Sequence, residues 1–140
     1  MKLNYSQSNG LENFFCGQGS EEVRKVIGLP YKVFPKTELS ENSIDAFGDA
    51  VMQVWYNCSN ELLGVEVYFP NACFYYDGKQ VLGLPIEAVE SFFVAEGVSF
   101  EVEKDKTGIN VNQNSVRFYA PDMDDLGGRA TVEAVYVGFK

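Results

Sequence analysis

Residues 63–81 read LGVEVYFPNACFYYDGKQV, and this stretch decides the fold. In its first half, apolar residues at every second position alternate with Glu66 and Tyr68, which is the period of a strand with one buried face. A second aromatic strand follows in ACFYY. The pair Asp77-Gly78 then predicts a tight type I′ hairpin, because both of its central positions need a positive φ. The stretch therefore predicts β-structure built from hairpins.

The flanking sequence adds more strands. VMQVWYN from residue 51, GINV from residue 108, SVRFY from residue 115 and ATVEAVYVGF from residue 130 all have strand character. VSFEVEK, at 98–104, predicts a further strand with Val98, Phe100 and Val102 facing inward. The segment at 35–49 is polar and weakly periodic, which is typical of a loop.

Two short helices are predicted beside these strands. Ser20 suits an N-cap, and Gly28 can end the first helix two turns later. The second helix, PIEAVESFFVAE at 85–96, starts after a proline and ends before a glycine. Its buried face is expected to carry Ile86, Val89 and Phe93, which lie at helical spacing.

These elements predict one α+β domain over residues 1–140, with a mainly antiparallel sheet. The stretch from Gly64 is similar to the stretch from Gly108, since both read as strand, turn and strand ending in Phe-Tyr. This similarity suggests two related halves, each a helix plus strands around one sheet, and chance resemblance between hairpins is the alternative.

The composition limits the possible functions. Acidic residues outnumber basic ones 20 to 11, which gives a formal net charge of −9 and argues against a nucleic-acid partner. The charge favours a basic protein partner, although solubility alone also explains it. The chain lacks histidine, the commonest general acid or base and a frequent metal ligand. We therefore expect no enzyme activity, no cofactor and no transition-metal site.

The N-terminus and the cysteines bear on the compartment. MKLNYSQSNG lacks the apolar run of a signal peptide, and no apolar stretch approaches the length of a membrane span. We therefore expect a cytoplasmic protein without a membrane partner. Cys16, Cys58 and Cys73 show no CxxC spacing, so buried reduced thiols are expected. The oligomeric state stays open.

Carboxylates offer two further types of site. Glu61 with Glu66, or Glu101 with Glu103, could act as a catalytic pair, but alternating acids usually form the solvated side of a strand. Residues 122–133 partly match a calcium loop, with acids at the first and third positions and a glycine at the sixth. The flanks are strands rather than helices, so an exposed acidic inter-strand loop is the preferred interpretation.

Aromatic residues crowd the middle of the chain, and in alternating strands half of them face away from the core. Either the helices cover these outward rings or the rings form a binding surface. On the second alternative, the expected partner-binding residues are the following two tyrosines and five acids. They are Glu66, Tyr68, Tyr75, Asp77, Asp122, Asp124 and Asp125.

Several segments together resemble the small acidic immunity proteins of bacterial contact-dependent growth inhibition and other polymorphic toxin systems. They are SEEVRKVIGLP, LGVEVYF, the FYYDGKQVLG hairpin with the helix after it, and the pair GINV and SVRFY. The resemblance implies a cytoplasmic protein that neutralises a toxin, often a nuclease, by covering its active site or substrate surface. A small carboxylate-dependent enzyme, or a ligand-binding domain with a pocket between helix and sheet, is the alternative.

Overall fold

The computed structural model describes residues 1–35, 37–38, 42–113 and 115–139. Its strands are β1 (Lys2–Ser6), β2 (Gly10–Leu11), β3 (Tyr31–Phe34), β4 (Ser43–Phe47), β5 (Met52–Tyr56), β6 (Leu62–Tyr68), β7 (Cys73–Tyr76), β8 (Lys79–Gln80), β9 (Glu101–Val102), β10 (Gly108–Val111), β11 (Val116–Tyr119) and β12 (Ala134–Gly138). Its helices are α1 (Ser20–Ile27), α2 (Ile86–Glu96) and the single turn α3 (Met123–Leu126), which a 3₁₀ turn (Gly127–Arg129) follows. The mainly antiparallel α+β fold is thus confirmed.

The strands form two sheets. The large sheet has eight strands in the order β3-β4-β5-β6-β12-β11-β10-β9, and every pairing in it is antiparallel. The small sheet has four strands in the order β2-β1-β7-β8, with β1 and β7 parallel. The sequence predicted a single sheet. The second sheet was not predicted, because it depends on the pairing of the N-terminal strand β1 with the distant strand β7.

The core lies between the large sheet and a second layer made of the small sheet, α1 and α2. Phe118 of β11 contacts Phe93 of α2 with ring centroids 5.3 Å apart, and Phe93 contacts Tyr76 of β7 at 5.0 Å. Phe74 of β7 also meets Phe118 edge-on. We call the side of the large sheet that carries Phe118 the inner face, and the opposite side the outer face.

A buried ion pair fixes α1 to the inner face. The guanidinium of Arg24 donates to both carboxylate oxygens of Asp45, at 2.8 and 3.0 Å, and the hydroxyl of Tyr56 donates to the same carboxylate at 2.8 Å. The Asp45 side chain is only 1% exposed. Burial and the bond to Asp45 both raise the pKa of Tyr56, so its hydroxyl stays a donor.

Most of the local predictions around the hairpin and α2 are confirmed. Asp77 has φ of 45° and Gly78 has φ of 86°, as the hairpin requires. In α2 the three residues predicted to form its buried face are all fully buried. The helix begins one residue later than predicted, with Pro85 at the N-cap.

The N-terminus of α1 differs from the prediction. Gly19 is the N-cap, and Ser20 is the first helical residue. The Ser20 hydroxyl is buried and accepts a hydrogen bond from the Asn60 amide at 2.6 Å, so it serves a tertiary contact instead of a cap. Gly28 ends the helix with φ of 68°, as predicted.

Two strand predictions are wrong in part. The polar segment 35–49, predicted to be a loop, contains β4, whose polar residue Asp45 is buried because Arg24 and Tyr56 satisfy it. Lys36 and residues 39–41 of that segment lie outside the described residues. In 98–104 only Glu101–Val102 form a strand, and Val102 is 48% exposed because β9 is an edge strand.

The predicted internal symmetry does not extend to the pairing. Strands β10 and β11 form a hairpin within the large sheet, whereas β6 and β7 belong to different sheets.

The expected burial of the cysteines is also wrong, since Cys16 and Cys58 are exposed and Cys73 is half-buried. Among the described residues, no helix has the length and apolar character needed to cross a membrane.

Candidate functional site on the outer face

The outer face gathers polar and aromatic side chains from strands that are distant in sequence. Register places Glu66 of β6 beside Tyr136 of β12, Tyr136 beside Arg117 of β11, and Arg117 beside Asn110 of β10. Since α1 and α2 both pack on the inner face, they leave Glu66 and Tyr136 partly exposed and Arg117 exposed, whereas Asn110 at the end of the row is buried. The outer face is therefore the uncovered side of the large sheet.

A second row crosses the outer face one step further along the strands. Tyr68 of β6 pairs with Ala134 of β12, and Ala134 pairs with Tyr119 of β11. The small Ala134 leaves a depression between the two tyrosines. A cavity of about 410 Å³ lies there, and Glu66, Phe69 and both tyrosines are among its lining residues.

Two glycines shape the centre of the outer face. A Cβ atom built on Gly64 would collide with the hydroxyl of Tyr136, and one on Gly138 would lie 3.3 Å from its ring. The Tyr136 ring therefore packs directly against these two glycines, in the space that larger side chains would fill. Its edge meets Trp55 of β5 with ring centroids 5.9 Å apart and planes at 70°.

Charged groups surround these rings. The Arg117 guanidinium lies over the Tyr136 ring, 5.7 Å from its centroid. The Tyr68 hydroxyl donates to Glu66 at 2.7 Å. Burial, followed by this hydrogen bond, raises the pKa of Tyr68, and burial also raises the pKa of Tyr136. Both phenols therefore remain hydrogen-bond donors at neutral pH.

A cavity of about 400 Å³, which we call the outer cavity, opens between these groups. Besides Phe118, whose ring lies on the inner face, its aromatic lining residues are Trp55, Tyr119 and Tyr136. Its charged lining consists of three carboxylates and one guanidinium. These belong to Glu66, Glu103, Asp105 and Arg117. The outer cavity thus combines aromatic surface with an excess of two negative charges.

The predicted contact residues Glu66 and Tyr68 lie on the outer face, but Tyr75 and Asp77 do not. Their neighbours Phe74 and Tyr76 point at the large sheet, so Tyr75 and Asp77 face out from the far side of the small sheet. These four expected contact residues therefore do not share one face, because β6 and β7 belong to opposite layers.

Asp77 and Tyr75 instead make local contacts. Asp77 accepts a hydrogen bond from the backbone N–H of Gln7 at 3.1 Å, and the Lys2 ammonium lies 4.6 Å from the centre of the Tyr75 ring. Tyr75 and Asp77 therefore lie on the side of the molecule opposite the outer face, where substitutions can serve as controls.

The acidic segment at Asp122, Asp124 and Asp125 is exposed and lies between β11 and β12, as expected, but it contains a helical turn, α3, where a loop was predicted. Asp124 is exposed, 3.9 Å from Lys106, and Lys106 lies between two residues of the outer cavity wall, Asp105 and Thr107. The turn therefore borders the rim. Within the described part of the chain, no three His, Cys, Asp or Glu side chains are arranged so that they could hold a metal ion together.

The alternative function was a small carboxylate-dependent enzyme or a ligand-binding domain with a pocket between helix and sheet. Burial, with Glu87 nearby, raises the pKa of Glu90. Both residues lie on α2, and neither lines the outer cavity or its neighbour beside Ala134.

Sequence reasoning missed four residues of the outer face, namely Trp55, Arg117, Tyr119 and Tyr136. Each occupies an outward position in a strand that was itself predicted, so alternation alone could have marked it. Their meeting depends on the order of the strands, which no local pattern specifies.

Comparison of this chain with known protein families, with curated proteins and with solved structures gives no match.

Proposed function

We propose that this chain is an inhibitory binding protein of the immunity type, which uses its outer face to cover the surface of a basic toxin domain. The observation that supports the proposal is an uncovered sheet face on which aromatic rings and surplus carboxylates meet. The resemblance of the sequence to immunity proteins suggests the class of partner, and the geometry suggests where it binds.

The rings favour a protein partner. Tyr119 is 47% exposed, and Trp55, Tyr68 and Tyr136 are each partly exposed on the same face. Tyrosine and tryptophan are enriched in the energetically dominant centres of protein interfaces, because they bury large apolar areas and keep one polar group for bonding. A face with four of these rings is suited to form such a centre.

The charges favour a basic partner. The outer cavity carries three carboxylates and one guanidinium, and the whole chain has a formal net charge of −9. A cationic surface would be steered towards this face and held there by complementary potential. Nucleases carry basic substrate-binding surfaces, so an acidic aromatic face is well suited to cover one.

The proposal is tested by two matched charge reversals. Glu66→Lys places a cation on the outer face, and Asp77→Lys makes the same change on the opposite side of the molecule. The neighbouring gene would first be searched for a small toxic domain, and each variant and the wild-type chain would then be co-expressed with that domain. Growth would be followed, and affinity would be measured by calorimetry.

We expect the wild-type chain and Asp77→Lys to restore growth. Glu66→Lys should weaken binding at least tenfold, or about 1.4 kcal/mol, because it puts like charges face to face. Wild-type protein that neither binds nor protects would refute the proposed function. Equal binding by the two variants would refute the outer face as the site.

A further inference from the structure

We infer that the outer cavity receives an arginine side chain of the partner, so that one guanidinium anchors the complex. This inference rests on the proposed function, because it names the partner chemistry of the same face. The geometry that carries it is the meeting of three carboxylates with three aromatic rings around one open space of about 400 Å³.

The lining groups match a guanidinium in both of its binding modes. A guanidinium is planar, donates two parallel hydrogen bonds to a carboxylate and stacks on aromatic rings. Glu66, Glu103 and Asp105 supply the acceptors, while Trp55 and Tyr119 supply ring surface. A lysine ammonium is a compact and strongly hydrated point charge, so it would use the carboxylates and gain less from the rings.

The chain binds one of its own arginines with the same types of group. Arg24 donates two hydrogen bonds to Asp45, and its guanidinium carbon lies 4.6 Å from the centre of the Tyr31 ring. Carboxylate and tyrosine together therefore hold a guanidinium elsewhere on the large sheet. The outer cavity presents these groups towards solvent.

The resident Arg117 leaves capacity for a second cation. It lies over the Tyr136 ring and balances only one of the three negative charges in the lining. An anionic occupant, such as a partner carboxylate, could pair with Arg117 but would face the remaining carboxylates at close range. Like charges in such a site repel, so a cation is the favoured occupant.

Trp55 gives a direct test, because it is the single tryptophan of the chain and lines the outer cavity. The probe is the blocked tripeptide acetyl-Gly-Arg-Gly-amide, titrated against the full chain while tryptophan emission is recorded. Peptides with citrulline, lysine or glutamate in place of arginine serve as matched probes. Citrulline keeps the shape of arginine without its charge.

We expect a saturable change in emission with the arginine peptide, and at least tenfold weaker binding of the citrulline peptide. The double variant Glu66→Gln with Glu103→Gln should weaken arginine-peptide binding at least fivefold, whereas Asp77→Asn should leave it unchanged. The absence of a saturable response, or equal binding of any of the other three peptides, would overturn the inference.

The two proposals fail separately. A chain that binds the toxin domain through Glu66 and ignores the arginine peptide would retain the proposed function and lose the arginine anchor. A chain that binds the arginine peptide and does not bind the toxin domain would lose the proposed function. In that second outcome the outer cavity remains a guanidinium site whose partner is a different protein.

Discussion

The two faces of the large sheet are made by alternate residues of the same strands, yet their carboxylates lie in opposite environments. On the inner face Asp45 is almost fully buried and receives hydrogen bonds from Arg24 and Tyr56. On the outer face Glu66 accepts one hydrogen bond, from Tyr68, and its carboxylate lines an open cavity. The Asp45 carboxylate is thus paired within the chain, whereas the Glu66 carboxylate can still accept hydrogen bonds from a partner.

This difference separates stability from binding. A buried charge must be paired, since removing its partner leaves an uncompensated ion in a medium of low dielectric constant. A charge at an open face stays hydrated and contributes little to folding. The inner carboxylate is therefore expected to control unfolding, and the outer carboxylates are expected to control association.

The largest effect is expected from Asp45→Asn, which removes the charge and keeps the shape. Because Arg24 then lacks its anionic partner, the free energy of unfolding should fall by about 3 kcal/mol. The matched outer-face variant Glu66→Gln should change it by less than about 0.5 kcal/mol, since glutamine still accepts from Tyr68. Urea denaturation of both variants measures the contrast, and equal midpoints would contradict it.

A smaller effect is expected from Gly64→Ala on the outer face. The added methyl group would collide with the Tyr136 hydroxyl, so this ring must swing away from Trp55. We expect a loss of about 1–2 kcal/mol in stability and a changed Trp55 emission spectrum. Gly138→Ala, whose new atom lies 3.3 Å from the ring, should have less effect on both. An unchanged emission spectrum for Gly64→Ala would contradict the placement of the Tyr136 ring above Gly64 and against Trp55.

The smallest effect at neutral pH is expected from Tyr76→Phe, between the two layers. The Tyr76 hydroxyl is buried and has no hydrogen-bond partner among the described residues, and the nearby Asn112 side-chain amide donates to Tyr5. Its removal should change stability at pH 7 by less than about 1 kcal/mol.

The same variant has a pH signature. Burial, with smaller contributions from Tyr5 and Asp77, raises the pKa of Tyr76 to about 12, from an ordinary value of 10.0. As pH rises from 10 towards 12, the unfolded chain loses this proton while the folded chain keeps it, so stability falls. Tyr76→Phe should lose less stability than wild type over this interval. Parallel curves of unfolding free energy against pH would contradict the raised pKa.

The sequence predicted those elements whose pattern is local. The Asp77-Gly78 hairpin and the buried face of α2 depend on turn chemistry and on helical spacing within a few residues, and both are confirmed. Strand β4 was missed because its central residue, Asp45, is charged. Only the distant Arg24 and Tyr56 make that charge compatible with burial.

The candidate site was only half predictable for the same reason. Alternation identified Glu66 and Tyr68 as outward residues of β6, and the structure places them on the outer face. Tyr75 and Asp77 follow them closely in sequence and nevertheless face the opposite side. The chain changes layer between β6 and β7, and alternation carries no information across such a change.

By itself, the sequence determined the acidic character of the chain, the hairpin and the residues that each strand turns outward, since charge, turn geometry and the two-residue period are properties of neighbouring residues. Only the tertiary structure decided that Trp55, Glu66, Arg117 and Tyr136 share one face, because pairing of β5, β6, β12 and β11 brings them together. Strand order is set by the packing of the whole core.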